Sequence, residues 1–240
     1  MELSRLKAFA DENNIGLSYE QLDLFSRFGN MVIEKNKVMN LTAITSEEEM
    51  EIKHFIDSLE SAPYIKEAAG DKFSLIDVGT GAGFPGIPLK IAFPEADFVL
   101  MDSLGKRIDF ISDAAEKLEL QNITAISARA EELARTDCRE SFDFCVSRAV
   151  AGMNVLLEYC LPFVKVGGTC IFYKSDDYSE EMKEAEEAME VLGGEFAGAR
   201  EFVLPDSDIR RSLVFINKIR TTPDKYPRRP GKPSKSPIGK

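Results

Sequence analysis

The residues best suited to chemistry are gathered in one short stretch, Asp77 to Gly86, "DVGTGAGFPG", which places four glycines and a proline directly after the apolar pair Leu75-Ile76. Glycine weakens a chain unless the backbone needs a positive φ or must approach something closely. At a strand-to-helix turn that something is usually a nucleotide-like ligand. Asp102 stands nineteen residues beyond Gly83, where a carboxylate can accept hydrogen bonds from both hydroxyls of a ribose. The segment Gly81 to Gly86 matches G-x-G-x-x-G, which favours a dinucleotide. Against this, the carboxylate of Asp77 sits close to where a pyrophosphate would lie, and it suits a cation better. A sulfonium bearing an ammonium group, as in S-adenosyl-L-methionine, is such a cation. No Gly-Lys-[Ser/Thr] follows the glycines, so a P-loop is excluded.

Three further groups stand at places where chemistry is done. Ala128 to Glu131 and Ser147-Arg148 follow apolar runs of strand length, as Asp77 and Asp102 do. His54 is the single histidine, and Asp57 three residues on would share its helix face and could pair with it. His54 and Arg148 are the two candidates for a catalytic role, with no assignment between them. Lys174 closes another strand-like run.

These side chains need a scaffold, and the pattern of the chain supplies one. Leu22, Phe25, Phe28, Val32 and Ile33 recur at helical spacing after Ser18, a good N-cap. Ser46 with Glu49 three residues on starts a second helix that carries Met50, Ile52, Phe55, Ile56 and Leu59 and stops near Pro63. From residue 73 strands and helices alternate: "FSLIDVG", "PGIPLKIAF", "DFVLMD", "GKRIDFISDAAEKLEL", "ITAISA", "EELAR", "FDFCVSRAV", "MNVLLEYCLPFV", "TCIFYK" and "SEEMKEAEEAMEVLG". Such alternation means a mostly parallel sheet covered on both faces. The final runs "EFAGAREFVLP" and "RSLVFINKI" are joined without a helix and must be antiparallel. The fold class is α/β, with an N-terminal helical extension at 1–65, a Rossmann-like domain at 66–219 and a tail at 220–240. Ligands of such sheets lie past the carboxyl ends of the strands.

Composition narrows the setting. No apolar run reaches the roughly 18 residues of a membrane span. The N-terminus has no apolar run of signal-peptide type. Cys138, Cys145, Cys160 and Cys170 form no CxxC pair and offer no metal spacing, so no metal is expected, and a reducing cytoplasmic compartment fits. The net charge of −11 is uneven: from Lys218 to Lys240 eight basic residues face Asp224 alone, which leaves −18 on the remainder. The Pro/Gly/Ser-rich tail has too few apolar side chains to order itself. It reads as a mobile basic tether for a polyanion or as a solubilising end.

The stretches "NLTAI", "HFIDSL", "LIDVGTGAGFPGIPLKI", "FVLMDSLGKRIDFI" and "FDFCVSRAVA" resemble the glucose-inhibited division protein B family, bacterial methyltransferases that modify a guanine of small-subunit ribosomal RNA at N7. The resemblance covers about residues 20 to 230. It implies a Rossmann-like class I methyltransferase sheet, S-adenosyl-L-methionine as cofactor, and 16S ribosomal RNA or the small ribosomal subunit as partner. A monomer is expected. By motif it implies cofactor contacts at Gly79, Phe84, Asp102, Ser103, Leu104, Ala130, Glu131 and Arg148, beside Asp77, Gly81 and Gly83 of the loop. Arg148 can clamp the methionine carboxylate, or hold an RNA phosphate or the guanine O6.

N7 of guanine carries a free lone pair, so its methylation needs no general base, only proximity and a suitable electrostatic pocket. The acidic body is a poor partner for naked RNA, which leaves a local patch from Arg107, Arg129, Arg135, Arg210, Arg211 and the tail, or an assembled particle as substrate. Two other readings stand beside this one: an adenosylmethionine enzyme acting on protein or a small molecule, and a non-catalytic nucleotide-binding module.

Overall fold

A computed structural model of the chain describes residues 1–175 and 178–239; Lys240, counted in the tail charge, lies outside them. Seven strands form one sheet in the order β3-β2-β1-β4-β5-β7-β6. They are β1 (Ser74–Val78), β2 (Asp97–Asp102), β3 (Ile123–Ser127), β4 (Phe142–Arg148), β5 (Val164–Lys174), β6 (Gly194–Val203) and β7 (Arg210–Lys218). The first five pair in parallel. β7 is antiparallel to both neighbours and wedges between β5 and β6. The sequence-based expectation of a parallel sheet with an antiparallel end therefore holds.

Side-chain alternation along the strands decides which face each functional residue reaches. Leu75, Phe144, Val146, Ile171, Tyr173 and Leu213 face a core shared with α1 (Ser4–Glu12), α2 (Tyr19–Met39) and the segment from 47 to 69. Ile76, Cys145, Cys170, Phe172, Val214 and Ile216 face the other core. That second core is covered by α8 (Ala130–Leu133), α9 (Met153–Cys160), α10 (Tyr178–Glu184) and α11 (Glu186–Leu192). Asp77 and Arg148 share the pleat of Leu75 and Val146, so both strand ends present charge toward the N-terminal helices. The helices α6 (Gly86–Ala92) and α7 (Gly105–Lys117) follow β1 and β2.

The N-terminal helices start where the caps predict. Ser18 and Gln21 form a reciprocal capping box on α2, and Gln21 Nε2 also donates to Ile91 O at 2.7 Å, which ties α2 to α6. Ser46 Oγ accepts the Glu49 amide. The helix it starts is not uniform. It runs as α3 (Glu47–Met50), a π-helical turn (Glu51–Ile56) and α4 (Asp57–Leu59). Pro63 then opens α5 (Ala62–Ala69). Inserted π turns recur at functional sites, and this one carries His54.

The tail is the main correction. It is not a mobile tether but a packed strap. Thr222 donates its amide to Glu140 at 2.7 Å and its hydroxyl to Leu192 O at 2.9 Å. Arg139 donates to the carbonyls of Thr222 and Tyr226. Arg228 meets Glu158 of α9 in a two-pronged ion pair, Nη2 to Oε2 at 2.6 Å and Nε to Oε1 at 2.9 Å. Ile238 is buried in the second core, after the short helix α12 (Lys232–Lys235). Counting apolar side chains misses this because the order comes from charge-assisted bonds to main-chain carbonyls and to a buried carboxylate.

Glu158 is fully buried, and Arg228 neutralises it. Removing one partner of a buried pair strands the other. Arg228→Ala should lower unfolding free energy by about 3 kcal/mol, the low end of the usual range because Arg228 is partly exposed. Urea denaturation checks this against Arg229→Ala, which should stay within about 0.5 kcal/mol of the parent. Equal midpoints for both variants would refute the docked tail.

Candidate active site

The loop after β1 is built around two hydrogen-bonding centres, Asp77 and Asp102. Gly79 and Thr80 both donate their amides to Met101 O of β2, at 2.9 and 3.0 Å. Gly79, Gly81 and Gly83 all have positive φ. Gly86 is required for a different reason: a Cβ there would lie 2.8 Å from Asp77 Oδ2 and from Leu100. That clearance lets the Gly86 amide donate to Asp77 Oδ2 at 2.9 Å.

Asp77 is completely buried, and burial pushes its carboxyl up to about 7, against the weaker pull of the nearby Thr80 hydroxyl, the Gly86 amide and Arg148. Neither Asp77 Oδ1 nor Thr80 Oγ1 has a hydrogen-bond partner of proper geometry. Thr80 lines the cleft. A buried, under-satisfied carboxylate behind an under-satisfied hydroxyl is the donor set that a cationic ligand would complete.

Asp102 ends β2 with both oxygens in use. Oδ1 accepts from the Leu104 amide at 2.9 Å. Oδ2 accepts from the Gly81 amide and from Arg107 Nη1, each at 3.1 Å. A carboxylate has about four acceptor positions, and Arg107 is a side chain that can yield its place to a ribose.

Two cavities meet at this point. One, of about 290 Å³, is lined by Gly79, Asp102, Ser103, Ala130, Glu131 and Tyr159 among others. The second, of about 590 Å³, is lined by Thr42, His54, Asp57, Thr80, Phe84 and Arg148 among others. Gly79, Arg107 and Ala149 belong to both walls. The residues singled out in the sequence therefore divide between two adjoining chambers. Asp77 and Gly83 line neither: Asp77 lies behind the loop, and Gly83 abuts Ile87 and Phe28. Leu104 is exposed as the residue before α7. Glu131 faces the smaller chamber, yet its Oε1 also accepts the amide of Gly231 from the tail, at 2.9 Å.

Arg148 organises the larger chamber. Its Nη1 donates to Asp57 Oδ2 at 2.7 Å, and its Nη2 to His54 Nδ1 at 2.9 Å. His54 and Asp57 thus do not pair with each other as their spacing suggests. The guanidinium lies between them because it can donate to both at once. A guanidinium only donates, so His54 Nδ1 must accept. Its Nε2 then carries the proton and donates to Thr42 Oγ1 at 2.9 Å. Burial first, and the charge of Arg148 second, push His54 down to about 3. The imidazole stacks on Phe84 with centroids 4.1 Å apart and planes 4° apart, and Arg148 lies over the same ring. Phe84 packs in turn on Phe28. Lys174 is not a free strand-end charge: it pairs with Glu181 at 2.6 Å and donates to Ala151 O.

Several lining residues carry no chemical signal of their own in the sequence. Ala149 sits at a φ of +57° between the chambers, a conformation unusual for a residue with a Cβ. Thr42, Tyr159 and Tyr173 arrive from distant parts of the chain.

A seven-stranded sheet with one reversed strand, a glycine loop after β1 and an acid closing β2 define a class I, Rossmann-like methyltransferase. The fold agrees with that of an rRNA methylase from Streptococcus thermophilus, at a TM-score of 0.51 and 16% identity over 67% of this chain and 95% of that one. The profile of the family described as rRNA small subunit methyltransferase G matches residues 21–209, and the chain belongs to that family. It is 51% identical to the ribosomal RNA small subunit methyltransferase G of Acetivibrio thermocellus over 93% of this chain and 91% of that one. It is 45% identical to the protein of that name from Bacillus cereus over the full length of both.

The buried imidazole gives a clean readout, since the chain has one histidine. Its ring proton resonances should not titrate between about pH 8 and about pH 5, where an ordinary histidine would. In the window from about 6.5 down to about 3 the unfolded chain binds a proton that folded His54 refuses. His54 should therefore cost stability progressively as pH falls through that window. A titration midpoint near 6.5 would mean that the Arg148–His54 bond is not formed. Gly86→Ala should displace Asp77 and cost about 1–3 kcal/mol, read by thermal melting; a parent-like melt would show that the loop has slack.

Proposed function

We propose that this protein transfers a methyl group from S-adenosyl-L-methionine to N7 of a guanine in 16S ribosomal RNA. The observation that carries the reading is the pair of adjoining chambers in a chain of this family, one walled by Asp102 and the other roofed by the neutral His54. Asp102 would hold the ribose, with Arg107 giving way, and Ser103, Ala130 and Glu131 would flank the base. Thr80 would face the cationic end, with the Asp77 carboxylate buried behind it. The cofactor, when bound, supplies an activated methyl group as an electrophile.

The chain's own residues have a limited task. N7 attacks with its lone pair, so no proton must leave first. His54 cannot take one: Nδ1 is occupied by Arg148 and Nε2 already carries a hydrogen. One oxygen of Asp57, Oδ2, is likewise engaged with Arg148. The pairing of Arg148 with Asp57 removes an objection to a cation in this chamber, since guanine becomes positive on methylation. Arg148 still has donors free for a carboxylate, and Phe84 holds the imidazole flat against the wall. Catalysis would then rest on alignment and on a water-poor chamber. A guanine of the small subunit would put the reaction in the cytoplasm. No helix among the described residues is long and apolar enough to cross a membrane.

Calorimetric titration should show binding of S-adenosyl-L-methionine and none of NAD. Asp102→Ala should weaken the former by about 1.5–3 kcal/mol, roughly 10- to 100-fold. Because the carboxyl of Asp77 sits near 7 and a cation prefers it ionised, affinity should fall as pH drops below about 7. A profile flat from about pH 8 to about pH 5.5 would remove Asp77 from the site. Nucleoside mass spectrometry of ribosomal RNA from a deletion strain should lack one N7-methylguanosine. An unchanged nucleoside profile would sink the assignment.

A further inference from the structure

The docked tail leaves a set of cations unspent. Arg228 is consumed by Glu158, and Arg135 and Arg139 from outside the tail hold its carbonyls. Lys225, Arg229, Lys232 and Lys235 are all exposed, and none has a carboxylate partner among the described residues. Elsewhere on this acidic chain many surface lysines and arginines are already paired, as Lys7, Lys37, Lys117 and Lys165 are, and the exposed cations without a carboxylate, such as Lys72, Lys106 and Arg210, lie far apart in the sequence. The unpaired charge is also fixed in place. Gly231, immediately before Lys232, donates to Glu131 in the wall of the smaller chamber. Arg129, exposed and unpaired, lies two residues from Glu131 in that same wall.

We propose that residues 222–239 form a docking platform for the phosphate backbone of the RNA substrate, rigidly attached to the wall of the methyl-donor chamber. This inference rests on the ribosomal RNA reading above and specifies where the RNA lies. The inward bonds of the strap set the outward geometry. Arg228 pins the chain to α9 and Gly231 pins it to α8, so Arg229, Lys232 and Lys235 project from a segment already ordered. A backbone already held in place loses little further conformational freedom when its side chains bind phosphate, and each phosphate neutralised releases counterions. The platform also resolves how a chain with a net charge of −11 can bind a polyanion: four exposed cations, Lys225, Arg229, Lys232 and Lys235, stand on one short segment bonded to the chamber wall.

Two double variants of the full chain test this: Arg229→Gln with Lys232→Gln, and Lys225→Gln with Lys235→Gln. All four side chains are exposed, so melting temperature and S-adenosyl-L-methionine affinity should match the parent. Binding to purified small ribosomal subunits, followed across salt concentrations, should show a log–log slope shallower by about 1.4–1.8 in each double variant, at roughly 0.7–0.9 per phosphate contact. The KM for subunits should rise several-fold with kcat nearly unchanged. Lys72→Gln, at the opposite end of the sheet, should leave the slope as it was. Unchanged slope and KM in both double variants would overturn the platform. Methyl transfer to guanine N7 by the parent is measured separately, so loss of the functional reading would show as a parent that binds subunits but does not methylate them. Parent-like salt dependence in the variants is a failure of the platform alone.

Discussion

The guanidinium of Arg148 is the contact on which the rest of the site depends. It ends the strand next to β1 and reaches across to the helices of the N-terminal region. There it binds His54 within a π turn and Asp57 just past its end. This arrangement settles three properties together. It fixes the tautomer of the only histidine, compensates its own charge within the chamber, and anchors the helices that form the chamber's roof. An isolated buried charge would not be tolerated; a buried charge with a carboxylate and an imidazole acceptor is.

The same logic governs the glycine loop. Asp77 is held under the loop by one amide and a gap that only glycine leaves at position 86. Its second oxygen and the Thr80 hydroxyl stay without proper partners. Polar groups left unpaired in an interior are costly, and a ligand that satisfies them recovers that cost on binding. Asp102 presents the opposite case. Both of its oxygens are engaged, but one of its donors is a long, partly exposed side chain that can move.

Charge distribution ties the site to its surroundings. Many of the body's lysines and arginines are met by neighbouring carboxylates, as Lys7, Lys37, Lys117 and Lys165 are. The tail breaks the pattern by spending one arginine on a buried glutamate and leaving its other cations facing outward. Its backbone in turn bonds Glu131, so the segment that carries the positive charge is also part of the smaller chamber's frame.

Much of this was legible in the chain itself. Alternating apolar runs and caps dictated the α/β order, because a parallel sheet must bury both faces and a helix must satisfy its first amides. The glycines and Asp102 identified a nucleotide-type turn, since few other structures need that backbone at a strand end. What the tertiary structure alone decided are contacts between residues far apart in sequence. The i, i+3 spacing of His54 and Asp57 suggested a pair, but Arg148, ninety-one residues beyond Asp57, took both. The π turn left no mark in the periodicity. The tail's apolar poverty predicted disorder, yet it is ordered by Glu158, Glu131, Arg135 and Arg139, whose positions depend on the rest of the fold. Local propensity and patterning act within a turn or a strand and are written in sequence. Buried ion pairs and capped carbonyls are written only in the distances that folding creates.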